Sequence, residues 1–208
     1  IGFRPDIEKI LRQMPKERQT LLLSATMEPP VRRLATRYMV NPIEVEIPAE
    51  TKTVESIRQS YFAVPRDRKP ETLLRVIARD EPTRCIVFCK RKVDADALAR
   101  RLSRDLDGVT AMHGDMEQNK RNAVMSRFRE GRIRFLVSTD LVGRGIDVDD
   151  ISHVINYDVP EDPENYVHRI GRTARMGKDG VAYTFVMPGQ GKELNAIEML
   201  IDKEVVAE

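Results

Sequence analysis

The sequence has no tryptophan, aromatic residues are 5% of its 208 positions, and it holds only two cysteines and three histidines. So few aromatics argue against a platform on which successive nucleobases stack. Cys85 and Cys89 fall in a run that reads as a strand, where four residues at about 3.3 Å each put them roughly 13 Å apart. That is beyond the reach of a disulfide. The histidines are widely separated and neither HExxH nor a paired CxxC occurs, so no metal-ligand set is expected. No apolar run approaches the roughly 18 residues of a membrane span, and no basic-then-apolar leader opens the chain. A strong charge of one sign is missing as well: 35 Lys and Arg stand against 33 Asp and Glu, a net charge of +2. Any polyanionic partner must therefore be recognised through local arrangement. These absences predict a reducing, cytoplasmic setting with no membrane partner. What is present, 41% apolar and 33% charged residues, is the profile of an ordinary globular protein. The first residue is Ile1, so a fragment of a longer protein is expected.

Periodicity divides the chain in two. Ile7, Ile10, Leu11 and Met14 repeat at helical spacing, Thr20 to Leu23 reads as a short strand, Val31, Leu34, Ala35 and Tyr38 as a second helix, and Ile43, Val45 and Ile47 as an alternating strand. Residues 48–56 are poor in apolar side chains and open with proline, which marks a linker between a segment 1–47 and a body 57–208. In that body, strand-like runs at Ser60–Val64, Arg84–Cys89, Val109–Met112, Ile133–Ser138, His153–Tyr157 and Val181–Val186 alternate with helical patterns such as Ala95, Leu98, Ala99 and Leu102. The alternation predicts an α/β fold, a parallel sheet flanked by helices, because each parallel crossover needs a covering helix. Ligands of such sheets meet the loops at the carboxyl ends of the strands.

The chemistry concentrates in His168-Arg169-Ile170-Gly171-Arg172-Thr173-Ala174-Arg175-Met176-Gly177, a run with no acidic residue. On a continuous helix His168, Arg172 and Arg175 would share one face, and guanidinium forks match phosphate oxygens. The plain alternative is a basic helix end that complements the dipole. The full string decides between them, because it resembles the sixth motif of the DEAD-box RNA helicases. Other elements follow in that family's order. Ile86-Val87-Phe88-Cys89 resembles motif IV, and His113-Gly114-Asp115-Met116 with Gln118 and Arg121 resembles the HGxMxQxxR element. Ser138-Thr139-Asp140-Leu141-Val142-Gly143-Arg144-Gly145-Ile146-Asp147-Val148 resembles motif V, and Val154 to Asp158 the run between V and VI. Ser24-Ala25-Thr26 matches motif III, and Ile1-Gly2-Phe3 the stretch after the Asp-Glu-Ala-Asp motif.

This resemblance implies an ATP-dependent RNA helicase in which two RecA-like lobes close on ATP and RNA. Residues 57–208 would be the C-terminal RecA-like domain, and 1–47 the end of the N-terminal, ATP-binding lobe. By the same resemblance Arg172 and Arg175 are arginine fingers and His168 helps join the lobes. Gly145 and Asp147 belong to the nucleotide site, with Asp147 on the ribose hydroxyls. Gly114, Gln118, Arg121, Thr139 and Lys90 contact the RNA sugar-phosphate backbone, which positions a strand without reading its sequence. Ser24, Ala25 and Thr26 couple the two lobes. Taken singly these residues have plainer readings: Asp147 as a loop carboxylate, Arg121 as a solvated arginine whose stem packs beside Val124, Met125 and Phe128, and Thr26 near a helix cap.

Two departures and one absence stand out. Arg91 occupies a position where the family often has threonine, and Thr173-Ala174-Arg175 replaces the commoner Thr-Gly-Arg, a change that adds one methyl group. No GxxxxGK[ST] occurs; in Gly189-Gln190-Gly191-Lys192-Glu193 the first glycine is misplaced and Glu193 stands where a magnesium-binding hydroxyl is needed. ATP with Mg2+ is thus the implied cofactor, its phosphates and metal held mainly by the N-terminal lobe, and the chain alone is expected to be inactive. Residues 1–47, part of a sheet whose other strands are not in the chain, should expose apolar surface, favouring disorder or self-association. The rival readings are a superfamily 2 DNA helicase lobe and a non-enzymatic RNA-binding or partner-binding module. The HRIGRTxRxG and RGIDV strings favour the RNA branch.

Overall fold

A computed structural model describes residues 4–24, 27, 29–45, 56–140, 146, 148–175 and 178–208. The chain divides into two compact units, 1–49 and 50–208. Most of the expected linker, 48–55, lies outside the described residues.

In the first unit two helices form, α1 (Arg4–Gln13) and α2 (Pro29–Tyr38). The runs Thr20–Leu23 and Ile43–Val45, expected as strands, are not strands here; Ile47 lies outside the described residues. A strand exists through its ladder, and among the described residues of this unit no neighbour lies beside either run. Their side chains are accordingly open to solvent, with Leu21 80%, Leu23 91%, Ile43 89% and Val45 79% exposed. Leu34 is the one hydrophobic residue described as buried in this unit. Polar contacts supplement it, such as Arg37 with Glu8 at 3.7 Å and Arg32 with Glu44 at 3.3 Å.

The second unit is built on a seven-stranded sheet with neighbours β3-β4-β2-β5-β6-β1-β7, paired in parallel throughout. In chain order its elements are β1 (Ile57–Ala63), α3 (Lys69–Asp80), β2 (Cys85–Phe88), α4 (Lys92–Leu102), β3 (Val109–Met112), α5 (Gln118–Arg129) and β4 (Phe135–Ser138). Then come β5 (His153–Asn156), α6 (Pro163–Ile170), β6 (Gly180–Val186), α7 (Gly191–Ile201) and β7 (Val206–Ala207). Because successive side chains of a strand point to opposite faces, a strand covered on both faces must be apolar at every position. The run Cys85-Ile86-Val87-Phe88-Cys89 meets that requirement. Cys85, Val87 and Cys89 join one core with Leu73, Val76 and Ile77 of α3 and Ala95, Leu98, Ala99 and Leu102 of α4. Ile86 and Phe88 join the opposite core with Val124 and Phe128 of α5. A third cluster packs Tyr166 and Ile170 of α6 with Leu194 and Ile197 of α7 against Ile57, Ala182 and Val186.

The helices therefore sort by face: α3 and α4 on one side, α5, α6 and α7 on the other. β2 and β5 are neighbours, yet the helix after β2 covers one face and the helix after β5 the other. Chains leaving adjacent strands toward opposite faces open a crevice at the carboxyl edge, the usual ligand position in open α/β sheets. Both thiols are free and buried, and burial pushes their pKa values up, so they are neutral and inert.

Candidate nucleic-acid and nucleotide sites

Register puts the candidate RNA contacts side by side. Met112, Ser138 and Phe88 are in line across β3, β4 and β2, with neighbouring strands about 4.8 Å apart. Gly114, Thr139 and Lys90 follow those residues by one or two positions, so three loops emerge together at one edge. Gly114 is exposed in the turn before α5. Gln118 opens α5, donating to Asn122 Oδ1 at 2.9 Å and accepting from Arg121 Nη1 at 3.2 Å. Arg121 is half-buried, on the same helix α5 as the buried Val124 and Phe128. The backbone N–H of Lys90 donates to Asp158 Oδ2 at 2.9 Å, and its ammonium pairs with Glu161, a hydrogen bond that raises its pKa. Gln118, Arg121, Asn122 and Arg129 rim a hollow of about 250 Å3 floored by Met112, Met125 and Ile146.

The arginine segment has a different local structure from the continuous helix considered for it. Helix α6 starts at Pro163, capped by the Asp162 carboxylate accepting from the Glu164 N–H at 3.0 Å, and stops at Ile170 with Gly171 as its C-cap. His168 is in the last turn, whereas Arg172 and Arg175 lie in the turn beyond it. Each arginine folds back on a carbonyl four residues earlier: Arg172 Nε donates to His168 O at 3.1 Å and Arg175 Nε to Gly171 O at 3.2 Å. These contacts satisfy carbonyls that a helix end leaves without intrahelical donors. Arg172 Nη1 also donates to Ile146 O at 2.9 Å. The helix stops because the chain must turn: Ala174 has φ of +55°, a left-handed conformation that costs an alanine roughly 1 kcal/mol more than a glycine. The replacement of the family's glycine here is thus a strained backbone position as well as an added methyl group.

Glycine at 180 has a steric reason. A Cβ there would meet Thr173 Oγ1 at 2.5 Å, Thr173 Cγ2 at 2.6 Å and Ala174 N at 2.8 Å. The Thr173 hydroxyl, buried, donates to the carbonyl of Ile151. The start of β6 therefore seats the segment that holds both arginines. Gly180→Ala is expected to displace Thr173 and lower stability by about 1 to 3 kcal/mol, read as an earlier urea midpoint with an unchanged slope.

The residue that organises this region was not singled out by motif reading. Arg169, 3% exposed, makes a fork to Asp140, Nε to Oδ1 at 2.5 Å and Nη2 to Oδ2 at 2.8 Å. Its remaining nitrogen donates to Asn156 Oδ1 at 3.2 Å and to Asp158 O at 2.8 Å, and the guanidinium carbon lies 5.1 Å from the centre of the Phe88 ring. Asp158 is shared further, since Lys69 Nζ, buried, donates to its Oδ1 at 2.9 Å and to Tyr157 O at 2.7 Å. Arg169 stood inside the quoted string with no feature separating it from Arg172 and Arg175. Lys69 carried no sequence signal at all.

Gly145 and Asp147 of the expected nucleotide site lie outside the described residues, as do Ala25 and Thr26; Ser24 is exposed in the first unit. Among the described residues no group of His, Cys, Asp and Glu is placed to hold a metal ion, and no helix is long and apolar enough to cross a membrane.

Residues 68–177 match the model of the helicase conserved C-terminal domain. A DEAD-box ATP-dependent RNA helicase, CshA of Bacillus subtilis (strain 168), is 44% identical over 205 residues, covering 99% of this chain and 42% of that protein. The CshA of Geobacillus kaustophilus (strain HTA426) is 46% identical over 198 residues, covering 95% and 42%. Among solved structures, S. cerevisiae Dbp5 bound to RNA and ADP BeF3 superposes with a TM-score of 0.87 at 32% identity, covering 100% of this chain and 55% of that one. The chain thus spans less than half the length of the curated relatives it matches. With the parallel sheet, the motif order and these likenesses together, the chain belongs to the helicase conserved C-terminal domain family, in its DEAD-box branch.

Proposed function

We propose that this chain serves as the carboxy-terminal part of an ATP-dependent RNA helicase, supplying arginine fingers to the nucleotide and backbone contacts to RNA. One observation carries the reading. The buried Arg169 joins the segment of His168, Arg172 and Arg175 to Asp140, the residue next to Thr139. Nucleotide-side arginines and RNA-side loop ends are thereby parts of one hydrogen-bonded unit, as a machine that links ATP state to RNA grip requires.

In this reading Arg172 and Arg175 approach the phosphates of ATP, and Gly145 and Asp147 face its ribose. A phosphate offers each guanidinium a charge-assisted bond, stronger than one to a neutral carbonyl. Gly114, Gln118, Arg121, Thr139 and Lys90 hold RNA by its sugar-phosphate backbone. Magnesium and the phosphate loop belong to the N-terminal RecA-like lobe, of which residues 1–47 are the end, with 48–56 as the linker and 57–208 as the C-terminal domain. Ser24, Ala25 and Thr26 couple the lobes. The exposed Leu21, Leu23, Ile43 and Val45 support burial of that segment against the rest of its lobe, and self-association when the lobe is missing. The two free, buried thiols fit a cytoplasmic location.

ATP hydrolysis stimulated by single-stranded RNA, measured on the complete protein and on these 208 residues alone, tests the reading. Activity is expected from the first and none above background from the second. RNA-stimulated turnover by the isolated chain would contradict the assignment of the phosphate and metal site to the missing lobe.

A further inference from the structure

We propose that Arg66 and Arg101 form an additional phosphate subsite, in the cleft where the chains leaving β2 and β5 diverge, and that it takes a backbone phosphate of RNA beyond the contacts at Gly114, Gln118, Arg121 and Thr139. The inference rests on the RNA reading above and extends it. The cleft, about 510 Å3, runs between α3 and α4 from the carboxyl ends of β1, β2, β5 and β6. Five cationic side chains line it, Arg66, Lys69, Lys90, Arg91 and Arg101, against two carboxylates, Asp94 and Asp158.

Pairing divides the five. Lys69 is committed to Asp158, Lys90 to Glu161, and Arg91 to Asp94 through a fork at 2.6 and 2.8 Å. Both lining carboxylates are thereby used within the cleft. Arg66, just after β1, and Arg101, in the last turn of α4, are exposed and make no side-chain hydrogen bond or ion pair among the described residues. Two guanidinium forks in a concave site at a topological switch point present donors that match a phosphate, and Asp94, the carboxylate whose charge Arg66 feels, is already held by the Arg91 fork. The positive excess between low-dielectric walls favours an anion further. Lys90 stands at the boundary: it lines this cleft and also belongs to the row of loop ends at β3, β4 and β2, so a strand tracked along that row reaches the cleft without leaving the surface. Phosphate contacts of this kind would lengthen the bound strand without adding sequence preference.

The test titrates short and longer oligouridylates, and inorganic tripolyphosphate, against the 208-residue chain at several salt concentrations, by fluorescence anisotropy and by displacement of labelled RNA. For the longer strand, Arg66→Ala with Arg101→Ala should weaken binding about tenfold. The salt slope should fall by about 0.7, the value for one single-strand phosphate contact. The short strand should be unaffected. Gln118→Ala with Arg121→Ala, measured beside it, should weaken both strands. An unchanged longer-strand affinity in the Arg66 and Arg101 variant, with the Gln118 and Arg121 variant impaired, overturns the subsite and leaves the RNA reading standing. No effect in either variant, or no measurable binding of the longer strand at low salt, overturns both. Sensitivity of tripolyphosphate binding alone to Arg66 and Arg101 overturns RNA as the occupant and assigns the cleft to free phosphate.

Discussion

Replacing Arg172 or Arg175 by alanine in the complete helicase should lower RNA-stimulated ATP turnover by roughly 10³-fold or more, the range over which arginine fingers act in phosphoryl transfer. That loss corresponds to about 4 kcal/mol of barrier at the lower end. The large effect has a plain origin. Charge on the transferring phosphoryl oxygens is stabilised best by donors already oriented in a site from which water is excluded. Both arginines start from a turn held firmly at Arg169 and at Thr173, so little of the scaffold must move for their side chains to reach a phosphate. Lysine at either position keeps the charge but loses the planar fork, so it should recover only part of the activity. The measurement is steady-state ATP hydrolysis at saturating RNA, with the unfolding midpoint recorded for each variant. Full turnover in both alanine variants would remove the finger assignment.

The largest loss of stability should come from Arg169→Ala. Removing one partner of a buried charge pair costs about 3 to 5 kcal/mol; the Asp140 side chain is 34% exposed, so water takes over part of the fork and about 3 kcal/mol, the low end, is expected here. Here Asp140 loses both bonds of its fork, and Asn156 Oδ1 and Asp158 O each lose a donor. For a body of this size such a change lowers Tm by roughly 6 to 12 °C. Arg169→Lys should recover a minority of it, since an ammonium cannot serve Asp140 in two parallel bonds while also reaching Asn156 and Asp158. Thermal unfolding of the 208-residue chain reports the effect, and an unshifted transition for Arg169→Ala would show the network to be unimportant for stability. The design has a functional side, because the same bonds tie Asp140 to the arginine segment. A helicase carrying Arg169→Lys should therefore lose RNA stimulation of its ATPase more than its basal rate.

Three features could not be read from the one-dimensional pattern, and each has a physical reason. Helical spacing placed His168, Arg172 and Arg175 on one face, but the helix stops at Ile170. The stop depends on Gly180 admitting Thr173 and on the left-handed Ala174, contacts between segments that periodicity does not register. Thr20–Leu23 is a short apolar run and Ile43–Val45 alternates, both as strands do, yet such patterns describe only the chain's own composition, and among the described residues no neighbour supplies the ladder. β7, two residues long with Val206 63% exposed, has too little sequence to show a period. It is a strand because Ser60 and Tyr61 of β1 offer it a register.

By itself, the sequence determined the alternation of strand and helix in 57–208, the unbroken apolar run at Cys85–Cys89 that a doubly covered strand demands, and the family, through strings too long and too ordered to arise by chance. Those are properties of local composition and of order along the chain. Tertiary structure alone decided which charges are occupied and which are open. Arg169 and Lys69 are buried and committed, Arg66 and Arg101 are exposed and open, and nothing in their residue type or neighbours separates the two pairs. Burial and pairing depend on partners distant in sequence, 29 positions away for Asp140 and 89 for Asp158, and such partners meet only when the sheet forms.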